Sequence, residues 1–172
     1  MTQHSPSAED NRCPDCGAAV AGGRAGCQAL MDELTARAYG DLRYAAVQTL
    51  AFDTYCMQHV QRYCVSAKSY AAHLTRLCCG LEYGGDLQVY AAIQKWLTGP
   101  ARTEKPRVLG DFGPMTVADV RAADSRAAGD VEAYKRLVRQ WAESVWSAYA
   151  SQHELARQWI QAALNVGVKH RP

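Results

Sequence analysis

Three cysteines near the start of the chain are spaced for metal chemistry: Cys13-Pro14-Asp15-Cys16-Gly17, with Cys27 eleven residues beyond Cys16. Two cysteines separated by two residues and followed by glycine form a knuckle that turns both sulfurs toward one ion. Zinc uses this arrangement most often, and a structural zinc takes four ligands. The spacing supplies three of them and calls for a fourth. Cys27 falls in the first turn of an expected helix, where unpaired N–H groups and the helix dipole favour a thiolate, the form that ligates metal. For the fourth position the sequence offers His59, then Cys64, Cys56, His73 and Cys78. His59 is favoured because it ends an expected helix beside a loop, where a neutral imidazole approaches from outside the core. Cys64, in the loop that follows, is the second choice. The expected cofactor is zinc, held by Cys13, Cys16, Cys27 and His59.

A second constellation has a different chemistry. Asp53, His59, His73 and His153 fall on three expected helices. Histidines converging from separate helices beside a carboxylate can hold a catalytic metal that keeps one position open for water. His59 cannot serve both sites fully. With His59 in the knuckle site, Asp53, Tyr55, Gln58, Ser69, His73 and His153 are left as a polar cluster suited to a small ligand. Asp53 with Tyr55, Lys68 and Arg157 forms an alternative grouping, a buried hydrogen-bond network that fixes helix register. Each histidine also has a plainer reading as a satisfied core or boundary residue.

These residues must be positioned by helices. Apolar residues recur at helical spacing from Cys27 to Tyr39, and again from about Ala45 to His59. Ser66 is placed to cap a third helix, Ala67 to Leu81, and Asp86 a fourth, Leu87 to Leu97, stopped by Gly99-Pro100. Thr116 and Asp119 have capping-box spacing for a short helix to about Ala123. Asp130 opens the longest pattern, running toward Leu164 without Gly or Pro inside it. Its Trp141, Trp146, Tyr149 and Trp159 read first as core, and second as the wall of a pocket for a planar molecule. No stretch alternates with a period of two. The expected fold is an all-α bundle of about four main helices with a zinc knuckle at its N-terminal end. Residues 1–12 read as a disordered lead, 13–166 as one domain and 167–172 as a flexible tail.

Composition narrows the function classes. With 172 residues, 48% apolar and 21% charged, the chain has the balance of a globular protein with a sizeable core. A formal net charge of +2 is too small to indicate a nucleic-acid partner. No apolar run approaches the ~18–20 residues that span a bilayer, and the N-terminal segment has no signal-peptide core. A cytoplasmic protein is expected, so its seven cysteines should be reduced rather than paired in disulfides. Cys56, Cys64, Cys78 and Cys79 then read as small buried hydrophobes. Oligomeric state is not encoded in any pattern.

Three stretches together resemble an uncharacterised bacterial family, a domain of unknown function found largely in actinomycetes and related soil bacteria. They are the Cys13-x-x-Cys16-Gly17 knuckle with Cys27, the string Asp53-Thr-Tyr55-Cys-Met-Gln58-His59, and the run from Ser66 through His73 to Cys78. Trp141, Trp146 and His153 continue the likeness, which spans roughly residues 13 to 160. In that family a proline commonly follows the histidine, where this chain has Val60, and histidines tend to stand at the positions of Gln48 and Thr49. The resemblance implies a helical fold and a shared polar constellation, and it brings no established activity. The primary expectation is a zinc-binding helical bundle with a structural metal. A metal-dependent enzyme of a bacterial metabolic or biosynthetic pathway is the alternative, and a protein-interaction module the third.

Overall fold

The architecture comes from a computed structural model that describes residues 11–99, 101–107, 110–126 and 129–168. Among these the regular secondary structure is helical apart from one isolated antiparallel bridge, Arg12 to Ala19. The helices are α1 (Gly23–Gly40), α2 (Leu42–Ala45), α3 (Gln48–Gln58), α4 (Val60–Tyr63), α5 (Ala67–Glu82), α6 (Leu87–Thr98), α7 (Val117–Arg126), α8 (Val131–Ala148) and α9 (His153–Val168). A short 3₁₀ turn, Ala150–Gln152, separates the last two.

Helix α3 is the central element. Leu50, Ala51 and every residue from Asp53 to Gln58 are buried, so α3 is covered around most of its circumference, with Phe52 its exposed residue. It packs on α5, α8 and α1, while α5 packs in turn on α6 and α9, and α7 bridges α1 and α8. Trp141, Tyr55, Tyr70, Tyr134 and Tyr149 fill the core. Two of their polar tips tie helices together inside it: Trp141 Nε1–H donates to Gln58 Oε1 at 2.9 Å, and Tyr149 O–H donates to the Met57 carbonyl at 2.7 Å, whereas the Tyr134 hydroxyl has no hydrogen-bond partner among the described residues. Gln58 is fully used, because its amide also donates to the carbonyls of Phe112 (3.0 Å) and Met115 (2.8 Å). It ties α3 both to α8 and to the connection before α7.

The caps expected from the sequence set the element starts. Ser66 accepts from the Ser69 N–H at 3.0 Å, and Ser69 Oγ accepts from the Ser66 N–H at 3.0 Å, a reciprocal capping box for α5. Asp86 caps α6 and Asp130 caps α8 through their carboxylates.

Four boundaries differ from the sequence expectation, the first being the loop expected directly after His59, where Val60–Tyr63 form α4. Helix α1 starts at Gly23, one turn before Cys27. The stretch from Ala45 to His59 is not continuous; α2 ends at Ala45 and α3 begins at Gln48. The long run from Asp130 toward Leu164 breaks at Tyr149. No Gly or Pro causes that last break. Tyr149 is anchored to the Met57 carbonyl, and Gln152 accepts a hydrogen bond from the buried Tyr70 hydroxyl. Holding both contacts requires a tighter turn than an α-helix makes. At the ends, Asn11 and Arg12, expected in the disordered lead, are part of the knuckle, and the rest of that lead lies outside the described residues. Helix α9 reaches Val168, and residues 169–172 lie outside them as well.

Candidate metal centre

The knuckle is a tight, hydrogen-bonded turn. The Gly17 N–H donates to the Cys13 carbonyl and the Cys13 N–H to the Ala18 carbonyl, both at 2.8 Å. Gly17 takes φ +76°, a left-handed conformation that costs glycine almost nothing and other residues more. Arg12 closes the turn from outside, its Nη1–H donating to the Gly17 carbonyl at 2.7 Å. The Arg24 guanidinium grips both oxygens of Asp15 (2.6 and 2.8 Å), fastening the knuckle to the start of α1. That pair holds the Asp15 carboxyl below its ordinary value. Gly26 lets the two segments meet: a Cβ there would lie 1.9 Å from the Ala21 carbonyl oxygen.

Cys27 enters from α1 and His59 from the C-terminal cap of α3, where the backbone leaves the helix at φ −121°, ψ 46°. Val60, where the resembled family commonly has proline, is the first residue of α4. A proline is accommodated at that helix position because its missing N–H has no helical partner to lose. The ligating atoms of Cys13, Cys16, Cys27 and His59 all lie within 4.8 Å of one another. Individual edges are 3.7 Å for Cys16 Sγ to Cys27 Sγ, 3.4 Å for Cys27 Sγ to His59 Nε2, and 3.6 Å for Cys13 Sγ to His59 Nε2. An ion bound tetrahedrally at ordinary zinc distances, about 2.3 Å to sulfur and about 2.0 Å to nitrogen, implies edges of about 3.8 Å and about 3.5 Å. These three edges fall close to those figures. Cys13, Cys27 and His59 are 1%, 0% and 1% exposed, and Cys16 is partly exposed.

The second ring nitrogen of His59 determines which one faces the sulfurs. His59 Nδ1 lies 2.7 Å from the Tyr55 carbonyl oxygen. A carbonyl only accepts, so Nδ1 carries the proton and Nε2 presents a bare lone pair toward the cysteines. Tyr55 also stacks on the imidazole, with ring centroids 3.9 Å apart at 25°. Tyr63 crosses His59 edge-on at 6.5 Å, and the Tyr63 hydroxyl donates to Gln28 Oε1. The imidazole is thus fixed in tautomer and in plane.

Without a cation the three thiols cannot all ionise. A hydrogen bond from Cys27 holds Cys16 low, at about 4, against the opposing effect of burial. The same hydrogen bond, with burial and the neighbouring Cys16 charge, pushes Cys27 far up, and burial raises Cys13. One thiolate with two thiols is what the protein alone stabilises. A divalent cation at the centre would reverse the balance for the other two.

The remaining sequence-selected residues are distributed. Asp53 and His73 meet, His73 Nδ1 lying 2.8 Å from Asp53 Oδ1. Ser69 is half-buried and spent on the α5 cap, Gln58 on the core bonds above, and Tyr55 on His59. His153 stacks on Trp146, with centroids 3.9 Å apart at 9°, and its Nε2–H donates to the Trp146 carbonyl at 2.8 Å. The alternative network is divided too. Lys68 reaches the Gly99 carbonyl at 3.2 Å, and Arg157 pairs with Glu82 at 2.8 Å. Cys56, Cys64, Cys78 and Cys79 are fully buried outside the cluster, where burial pushes Cys64 and Cys78 up to about 12 and Cys79 to about 11. Sequence reasoning missed Arg76, whose Nε lies 3.2 Å from Asp53 Oδ2. The usable signal was its position three residues after His73, on the same face of α5.

Fold and site define a class: a helical bundle whose N-terminal knuckle brings a Cys₃His group to the end of its central helix. The chain belongs to the family of unknown function DUF5946, which matches residues 11–150. That segment contains the whole Cys₃His group and helices α1 to α8, while α9 with His153 lies beyond it. No curated protein and no solved structure matches the chain.

Proposed function

We propose that Cys13, Cys16, Cys27 and His59 bind one zinc ion, and that this ion is structural. The observation that carries the reading is that the four ligating atoms lie within 4.8 Å of one another, three of their edges at 3.4–3.7 Å. Three thiolates and an imidazole in tetrahedral array suit zinc better than magnesium, calcium or manganese, which prefer oxygen ligands at higher coordination. Four protein ligands complete the tetrahedron, so no position is kept for water or substrate, as a catalytic zinc requires.

The work assigned to the metal is mechanical. Cys13 and His59 are 46 residues apart, and between them the ion links knuckle, α1 and α3. Binding free energy at such a site is folding free energy. Protein purified without chelator is expected to carry one zinc per chain, and a strong chelator to lower its thermal unfolding midpoint with loss of helical circular dichroism. Metal-free protein that unfolds at the same midpoint as the purified form would refute the structural role.

A further inference from the structure

A cleft of about 720 Å³ lies away from the metal centre. It is bounded by the α2–α3 junction, the middle of α5, the start of α6 and the exposed flank of α8. Four of the chain's 19 Lys and Arg residues line it, and none of its 17 Asp and Glu do: Arg76 from α5, and Lys135, Arg136 and Arg139 from α8. We propose that this cleft binds a small organic anion, a phosphate or carboxylate carried on an apolar body.

The cations differ in how they are held. Arg76 has a buried carboxylate behind it: its Nε lies 3.2 Å from Oδ2 of Asp53, an ion pair without hydrogen-bond alignment, and the fully buried Asp53 takes His73 on its other oxygen at 2.8 Å. Nε is the guanidinium nitrogen that pairs with Asp53, and the planar fork of the Nη groups suits carboxylate and phosphate. Asp53 offsets the Arg76 charge, so the net attraction comes from α8. There, Lys135 pairs with Glu132 and Arg139 with Glu143, one helical turn apart. Exposed pairs of this kind are weak, and an incoming oxyanion can compete for their cations. Arg136 has no ion pair among the described residues. The rest of the wall is mostly apolar, with Thr49 and Gln94 as uncharged polar side chains. Leu87 is 78% exposed at the start of α6, which has a use if a ligand covers it. Tyr90 stands beside Arg76, its ring centroid 6.0 Å from the guanidinium carbon.

The test uses the full chain and amide chemical shifts, with phenyl phosphate and benzoate as probes and benzyl alcohol as their uncharged counterpart. At least one anion is expected to give saturable shifts grouped on α5, the start of α6 and residues 135–139, and benzyl alcohol none. Whichever anion binds identifies the head group. Arg136 is exposed, so Arg136→Gln leaves the fold in place and is expected to weaken that binding about tenfold, the effect of losing one charge-assisted hydrogen bond. Arg121→Gln removes the same charge at the distant pair with Glu33 and is expected to leave affinity unchanged. The proposal is overturned if neither anion saturates, if benzyl alcohol shifts the same amides equally, or if Arg121→Gln weakens binding as much as Arg136→Gln.

Discussion

His59 does three things at once: it caps α3, it stacks under Tyr55, and it turns Nε2 toward three sulfurs. Its Nδ1–H bond to the Tyr55 carbonyl is the kind of outer contact whose loss alone costs about 10–100-fold in metal affinity. Removing the imidazole should cost more. His59→Ala is expected to lose its ion to a competing chelator at concentrations that leave the unaltered protein loaded, as read by a colorimetric zinc indicator. Acid acts at the same atoms. Cys13 and Cys27 hold their protons strongly without metal, so protons and metal compete and affinity falls as pH falls. At this scale the sequence was legible where spacing carries the chemistry, as in Cys13-x-x-Cys16. His59 was reached through its place at a helix end. Arg76 was not, because nothing local marks Asp53 as a buried carboxylate in need of a second partner.

Between elements, the metal centre depends on how closely α1 approaches the knuckle. Gly26→Ala would set a methyl against the Ala21 carbonyl, 1.9 Å from its oxygen. It is expected to destabilise the chain by about 1–3 kcal/mol, the range for overpacking, and to weaken metal retention with it. Ser66→Ala provides the contrast. It removes the α5 cap and should cost about 1 kcal/mol in urea unfolding with zinc content unchanged. The α5 and α6 starts were legible because Ser66 and Asp86 carry their capping chemistry in their own side chains. The α1 start was not, because glycines precede Cys27 and periodicity begins only after it. With Cys27 one turn inside the helix, its ligating position comes from packing more than from the helix terminus. The α8–α9 break was hidden for the same kind of reason: Tyr149 and Gln152 are fixed by Met57 and Tyr70, distant partners that no local pattern reveals.

For the molecule as a whole, the all-α class followed from helical periodicity and the absence of alternating strands, while the order of packing around α3 did not. An apolar helix shows that it is buried without showing by what. The buried thiols give the whole fold an alkaline limit. Cys64, Cys78 and Cys79 are raised by burial from 9.0 to about 12, about 12 and about 11. A folded pKa above the unfolded one gives stability that is complete below the unfolded value and lost as pH rises through the folded one. Urea midpoints are therefore expected to hold to about pH 9 and fall between about pH 9 and 12, less steeply in Cys64→Ala. A flat profile across that range would show that these thiols do not stay protonated in the fold. The central claim is the metal, and X-ray absorption at the zinc edge tests it most directly on protein purified without chelator. The expected result is one zinc per chain with three sulfurs at about 2.3 Å and one nitrogen at about 2.0 Å. Protein without zinc, or zinc surrounded mainly by oxygen, would contradict it.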